Sequence, residues 1–334
     1  MKKVKSYKLK VVNIFEFLII FILFMINSCV FAGSFADNAF AYCRINLEKS
    51  GNQDILGLVK DILQKNQEDS LQNGAIFKAI SIASIKDIKG YAFPENKNGQ
   101  SDYLVIINLS DKFSIEVGGR TIEFEVKDKD SLATARMAAL EQLLKESLGG
   151  DAKLKSIEIL QNKIFFNEEK ENHGKLSSFV TVPGKVVFSS NKILIRSFIK
   201  EGINNGEKIE RFGEITKNIK LQKGGLVLLD NKNGDVTKFV QKMAAKNNVQ
   251  IPDFWTKITK TGFSFEQINP EKIKANLAVL APKKLSDAVE KEIQILTEYG
   301  DLKIKKESKT NDNYTFILAD FVCNKDAIDK LLGL

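Results

Sequence analysis

Within residues 103–150 the hydrophobic pattern changes period, and that change restricts the fold more than any other stretch of the 334-residue chain. Tyr103 to Leu109 is apolar and β-branched, the composition of a strand. Phe113, Ile115 and Val117 then alternate with polar residues, Gly118-Gly119 turns the chain, and Ile122, Phe124 and Val126 alternate again. Two alternating runs around paired glycines specify a β-hairpin, because glycine reaches the positive φ of a tight turn without steric cost. After Asp130 and Ser131, either of which can cap a helix, the spacing lengthens. Leu132, Ala135, Ala139, Leu140, Leu143 and Leu144 form a helical stripe, and Gly149-Gly150 ends it.

The same two periods recur along the chain. Ile55, Leu58, Val59, Ile62 and Leu63 share one helical face, and a weaker helix runs through Ile76, Ile80 and Ala83. Pro94 to Ser101, with Asn98-Gly99, reads as a loop and a boundary. From Leu154 to Leu229 the period is mostly two. Ile157 and Ile159, Phe179 and Val180, Val186 to Phe188, and Ile193 to Ile195 are expected as short strands, with a charged loop over Asn167 to Lys175. Asn205-Gly206 and Asn233-Gly234 are turn dipeptides, and Asp235 is the expected cap of a short helix with Phe239, Val240 and Met243 inward. Pro252 to Pro270 shows no clear period.

The C-terminal part is well marked. Leu277 to Leu280 is a short strand ending at Pro282, and Leu285 to Tyr299 is an amphipathic helix with Leu285, Val289, Ile293 and Leu296 inward and Gly300 as its stop. Leu302 and Ile304 begin a strand, Asn311-Asp312-Asn313 turns it, Tyr314 to Val322 is its partner, and Asp326 to Leu332 closes as a helix. This βαββα order predicts a sheet with helices on one face. The expected class is α+β, built from small sheet-plus-helix modules. The expected division is an export segment (1–32), a helical region (33–100), an α+β domain (101–230) and a C-terminal α+β domain (231–334).

The first 32 residues concern location. Lys2, Lys3, Lys5, Lys8 and Lys10 precede an apolar run from Phe17 to Ile26, and Val30-Phe31-Ala32 offers a cleavage site. These parts make an export signal, with cleavage after Ala32 leaving a mature start at Gly33. Two alternatives stay open. Phe17 to Ala36 carries no charge and could serve as a retained membrane anchor. Ile26-Asn27-Ser28-Cys29 loosely fits a lipobox, which would place a lipid on Cys29. All three put the bulk of the chain outside the cytoplasm, in or beyond a bacterial envelope.

The formal charge of +8 is not a nucleic-acid signal, because residues 1–32 carry half of it in five lysines and one glutamate. Beyond them acids and bases interleave, as in Glu168-Glu169-Lys170-Glu171, which favours solubility over phosphate binding. Removal of Cys29 leaves Cys43 and Cys323. In an oxidising compartment they can pair, tying the N-terminal segment to the last strand, or remain separate thiols.

The hairpin followed by Asp130-Ser131-Leu132-Ala133-Thr134-Ala135-Arg136-Met137-Ala138-Ala139-Leu140 and Gly149 resembles the shared stretch of an envelope family. That family includes the LPP20-type lipoproteins and the N-terminal domain of flagellar assembly protein T. There too a sheet leads into a helix with an Ala-Arg-x-x-Ala-Leu core. Ile193 to Ile203 is loosely similar to its later strand, and the charged insert at Asn167 to Lys175 departs from its pattern. The resemblance spans residues 103–205 and implies an extracytoplasmic structural or assembly role, with no catalytic residues to carry over.

Chemistry-bearing motifs are sparse. The single histidine, His173, stands in a charged loop followed by glycine, a solvated setting rather than a preorganised one. Asp230 to Asp235 superficially resembles a calcium loop, but aligning Gly234 at the sixth position puts Leu229 where the first carboxylate is needed; a hairpin turn is the better reading. Pro183-Gly184-Lys185 lacks the upstream glycine and hydroxyl of a phosphate loop, and Lys223-Gly224-Gly225 reads as a turn. Glu123 and Glu125 share a hairpin face, as an ordinary half-exposed strand places them. Phe254 and Trp255 are either a core anchor or an interaction surface.

These readings converge on an exported, non-enzymatic envelope protein that needs no cofactor and binds an envelope protein or surface polymer by strand addition, with membrane contact through the N-terminus. Its rivals are a secreted hydrolase with carboxylate or serine chemistry and a secreted host-directed factor.

Overall fold

A computed structural model describes residues 38–47, 85–95, 101–117, 120–125, 131–149, 154–168, 177–201, 210–220, 224–247, 256–269, 271–298, 300–308 and 313–324. The expected helices over 55–63, 76–83 and 326–332 lie outside these residues. So do Cys29, His173, Phe254 and Trp255.

In chain order the elements are β1 (Ala41–Asn46), β2 (Ile85–Glu95), β3 (Ser101–Leu109), the hairpin β4 (Lys112–Val117) and β5 (Arg120–Glu125), and helix α1 (Ser131–Gly149). Then follow β6 (Lys155–Ile159), β7 (Asn162–Phe166), β8 (Ser178–Val182), β9 (Lys185–Ser189) and α2 (Lys192–Glu201). A 3-10 turn (Glu210–Phe212) runs into α3 (Gly213–Thr216), followed by β10 (Gly225–Asp230) and α4 (Asp235–Asn247). The chain continues with β11 (Lys260–Asn269), β12 (Lys272–Pro282), α5 (Ser286–Gln294), β13 (Gly300–Ser308) and β14 (Tyr314–Asn324).

Twelve of these strands form one antiparallel sheet in the order β13-β14-β12-β11-β10-β1-β2-β3-β9-β8-β7-β6, and β4-β5 stands apart as its own hairpin. This corrects the α+β expectation. The described fold is mainly β, with few helices laid on one large sheet rather than small sheet-plus-helix modules. The reason is long-range pairing: β1 sits between β2 and β10, and β3 pairs with β9, so alternating runs far apart in sequence join one ladder.

The sheet is covered on both faces, and alternation along each strand sorts residues between them. Ala41, Cys43 and Ile45 enter one core with Val227, Leu229, Val279 and Ile317, under α4 and α5 through Val236, Val240, Val289 and Ile293. Tyr42, Tyr91, Phe93, Leu226 and Leu228 point the other way, into a core closed by Leu194, Phe198, Phe212 and Ile215 of α2 and the 210–216 segment. A third core packs Leu140 and Leu144 of α1 against Ile107, Phe165, Phe179 and Phe188. Burying side chains of this size is worth about 1.5–3 kcal/mol each, so the doubly covered strands β10 and β12 read as nearly continuous apolar runs. Gly262 permits the close approach of α3, since a Cβ there would meet Ile215 Cγ1 at 3.1 Å and Ile219 Cδ1 at 3.2 Å.

Several local expectations change. Ile193 to Ile195 is helical, because Leu194, Ile195, Phe198 and Ile199 are buried at helical spacing while Ile193 faces solvent. The strand-like composition of Ile-Leu-Ile is overridden by that stripe. In α1, Ala135 and Ala139 are exposed, and the packed stripe is Leu140 and Leu144 flanked by Met137 and Leu143. The Asp230 to Asp235 turn joins a strand to a helix rather than two strands. Its cap is Asn231, whose Oδ1 accepts the Thr237 N–H at 2.9 Å, whereas Asp235 is the first helical residue. Gly300 begins β13 rather than only ending a helix. Helices lie on both faces of the sheet, against the single covered face expected from the C-terminal pattern. Among the described residues no helix is long and apolar enough to cross a membrane.

Candidate interaction edge

Among the described residues the open sheet ends in two edge strands, β13 and β6. They differ in how they meet solvent. On β13, Leu302 and Ile304 pack into the core, and Lys306 on the same side reaches α5, donating to Asp287 Oδ1 at 2.7 Å and pairing with Glu290. Hydrogen bonds to Asp287 and then Glu290 raise the Lys306 ammonium above its usual range, and Lys306 in turn holds Asp287 low. Lys305 projects from the opposite side and pairs with Glu307 at 2.6 Å. A row of lysines is a common guard against unwanted pairing.

The β6 edge is shorter and less guarded. Its five residues, Lys155-Ser156-Ile157-Glu158-Ile159, pair only with β7 among the described strands. Leu160 and Gln161 form the two-residue turn, with φ of 48° and 66°. Both positive values suit a hairpin turn that follows strand twist, but neither residue is glycine or asparagine. Asn162 Nδ2 donates to the Leu160 carbonyl at 2.8 Å and steadies the turn. Leu160 projects from it with 67% of its surface exposed. In such a hairpin the flanking pair Ile159–Asn162 exchanges backbone bonds, so alternation turns the N–H and C=O groups of Ser156 and Glu158 outward. At the start of the strand Lys155 Nζ meets Glu168 Oε2 at 2.5 Å, and that hydrogen bond lowers the Glu168 carboxyl.

Buried polar groups gather at one end of the sheet. Asp102, 1% exposed, accepts hydrogen bonds from Ser190 Oγ and, at 3.0 Å, from Asn191 Nδ2. Asn191 Oδ1 accepts the Ile193 N–H at 2.9 Å and caps α2. Ser189 Oγ donates to the Tyr103 carbonyl at 2.7 Å, and Ser178 Oγ to the Ser189 carbonyl at 3.0 Å. On the same face, Asp230 Oδ2 accepts from Arg211 Nε at 2.9 Å and Oδ1 from the Lys232 N–H at 2.9 Å. These carboxylates anchor α2 and the 210–216 segment to the sheet.

The remaining sequence candidates are dispersed. Cys43 on β1 and Cys323 on β14 are free, buried thiols in the same core, separated by β10, β11 and β12. Four strand spacings amount to about 19 Å, beyond the ~7 Å limit for a disulfide, so the pairing considered above does not form here. Burial, offset slightly by a hydrogen bond from the Gly90 backbone, pushes the Cys43 thiol up to about 12, and burial pushes Cys323 to about 11. Glu123 and Glu125 lie opposite Ser114 and Lys112 in the hairpin. Gly184, at φ 69°, turns β8 into β9. Among the described residues no three His, Cys, Asp or Glu side chains gather as a metal site.

Two features escaped the sequence reading. Ser189-Ser190-Asn191 before an apolar run is a helix-start signature that would have found α2. Leu160-Gln161 carries no turn signal at all, and only the backbone reveals it. No protein-family model, curated protein or solved structure matches the chain.

Proposed function

We propose that this chain is an exported, non-enzymatic protein of the cell envelope that docks a protein partner by strand addition at β6. The reading rests on one observation. Among the described residues the β6 edge directs backbone groups without a strand partner outward beside an exposed leucine, while the opposite edge is guarded by lysines. Backbone hydrogen bonds supply affinity in this mode, and side chains such as Leu160 supply selectivity. The basic, apolar and small-residue order of residues 1–32 supports export, and the helix Ser131–Gly149 is the element that supports the envelope-family resemblance.

The test places a photocrosslinking residue at Ser156 in the native host and compares wild type with Glu158→Pro. Proline removes an outward N–H without breaking the β6–β7 ladder. A discrete adduct in the envelope fraction, lost in Glu158→Pro, is the expected result. A mature protein recovered from the medium without adducts would overturn the reading.

A further inference from the structure

The β6 edge is complementary to a copy of itself. Its outward backbone groups belong to Ser156 and Glu158, and both residues are exposed. Antiparallel strands bond where two outward residues stand opposite and exchange both N–H···O bonds. Turning a second β6 about an axis normal to the sheet at Ile157 sets Ser156 opposite Glu158 of the second copy, and Glu158 opposite its Ser156. Each of these two pairs exchanges both backbone bonds, so the outward groups of all four residues are met. Centring the axis on Glu158 instead sets two carboxylates face to face, which repel. Centring it on Ser156 sets Glu158 opposite Leu154, which precedes the strand. Only the Ile157 register uses both outward residues within β6 and keeps like charges apart.

We propose that the partner added at β6 is a second copy of this chain, joined antiparallel about Ile157 into a two-fold dimer; this rests on the reading of β6 as the docking edge and names its occupant. The side chains agree with that register. Rotation about the sheet normal keeps each face of the sheet on its own side. On the face of α2, Ile157 and Ile159 are half-buried against the core. Ile157 meets Ile157 of the second copy at the close, non-hydrogen-bonded spacing of about 4.5 Å between Cα atoms. On the other face Glu158 stands opposite Lys163 of its own β7 and accepts the Ser156 hydroxyl of the second copy. The exposed Leu160 is carried toward Leu154 of the second copy, which is half-buried against the core under α1. Helix α2 packs chiefly over β7, β8 and β9, and α1 over β8, so both sit back from the edge.

The test is sedimentation velocity of the protein purified from its native host, at rising concentration. The wild type is expected to pass from the mass of one chain to that of two. Glu158→Pro, which lacks the N–H donated to Ser156 of the second copy, is expected to stay at one. Two exposed substitutions, neither of which touches the core, read the register directly. Ser156→Lys sets a cation opposite Glu158 and is expected to tighten the dimer about 2- to 30-fold, and Ser156→Glu to loosen it as much. A wild type that stays monomeric, a dimer that persists in Glu158→Pro, or Ser156 variants that leave the affinity unchanged would each overturn the proposal. The photocrosslink at Ser156 separates these outcomes from a failure of strand addition itself. An adduct of twice the chain mass supports the dimer. An adduct of any other mass overturns it and leaves strand addition to a different protein standing, and the absence of any adduct removes both.

Discussion

At the scale of single residues, polar burial sets the most exposed points of stability. Asp102 satisfies Ser190 and Asn191 at the start of α2, and its removal leaves two buried groups without an acceptor. Asp102→Ala is therefore expected to cost about 2–4 kcal/mol in urea denaturation, with the signal of α2 weakening first. The thiols make a second prediction. Each is held above its ordinary value of 9.0 by burial, so the unfolded chain releases these protons before the folded one does. Their contribution to stability is therefore intact below about pH 9 and falls as pH rises toward 11 to 12. A stability profile that rises across that window would contradict the buried placement of Cys43 and Cys323. Native protein should also resist thiol-reactive dyes until denaturant is added.

At the scale of elements, the β6–β7 hairpin stores strain that its sequence does not announce. Leu160 and Gln161 both occupy the left-handed region, which costs side-chain-bearing residues about 1–2 kcal/mol each. Replacing the pair by Asn-Gly (Leu160→Asn with Gln161→Gly) is expected to stabilise the protein by about 1–2 kcal/mol. The same change removes the exposed Leu160 side chain, so a partner that uses it should bind less tightly to a more stable protein. Competition between these two readouts separates a docking role from a merely tolerated turn. Helix α2 shows the opposite balance. Its β-branched residues favour a strand, yet Leu194, Ile195, Phe198 and Ile199 bury only if the segment is helical.

At the scale of the whole molecule, one sheet draws strands from the three ranges 33–100, 101–230 and 231–334. Its centre is the β2-β1-β10 triplet, where Cys43 pairs across to Gly90 and Val227. β1 therefore joins strands that enter the chain more than a hundred residues apart, so changes in β1 should unfold both halves together. The proposed export carries a covalent prediction. The intact mass of protein from the native host should match a chain starting at Gly33 with both thiols reduced. A mass two hydrogens lower would contradict the separation of Cys43 and Cys323, an acylated Cys29 would make the protein a lipoprotein, and a full-length mass would make residues 17–36 an anchor.

The sequence by itself determined what its local period could encode. The hairpin at residues 112–125, the helix that follows it, and the run β12-α5-β13-β14 were legible because alternation and helical stripes are properties of neighbouring residues. Tertiary structure decided which of those strands are neighbours. β1, β2, β7 and β11 have weak local patterns, and their place comes from ladders with partners distant in sequence. It decided as well that the sheet is covered on both faces, that two cysteines of one core stay apart, and that Arg44 faces Lys89 across β1 and β2. Register alone sets such pairings, and register depends on the packing of the entire sheet.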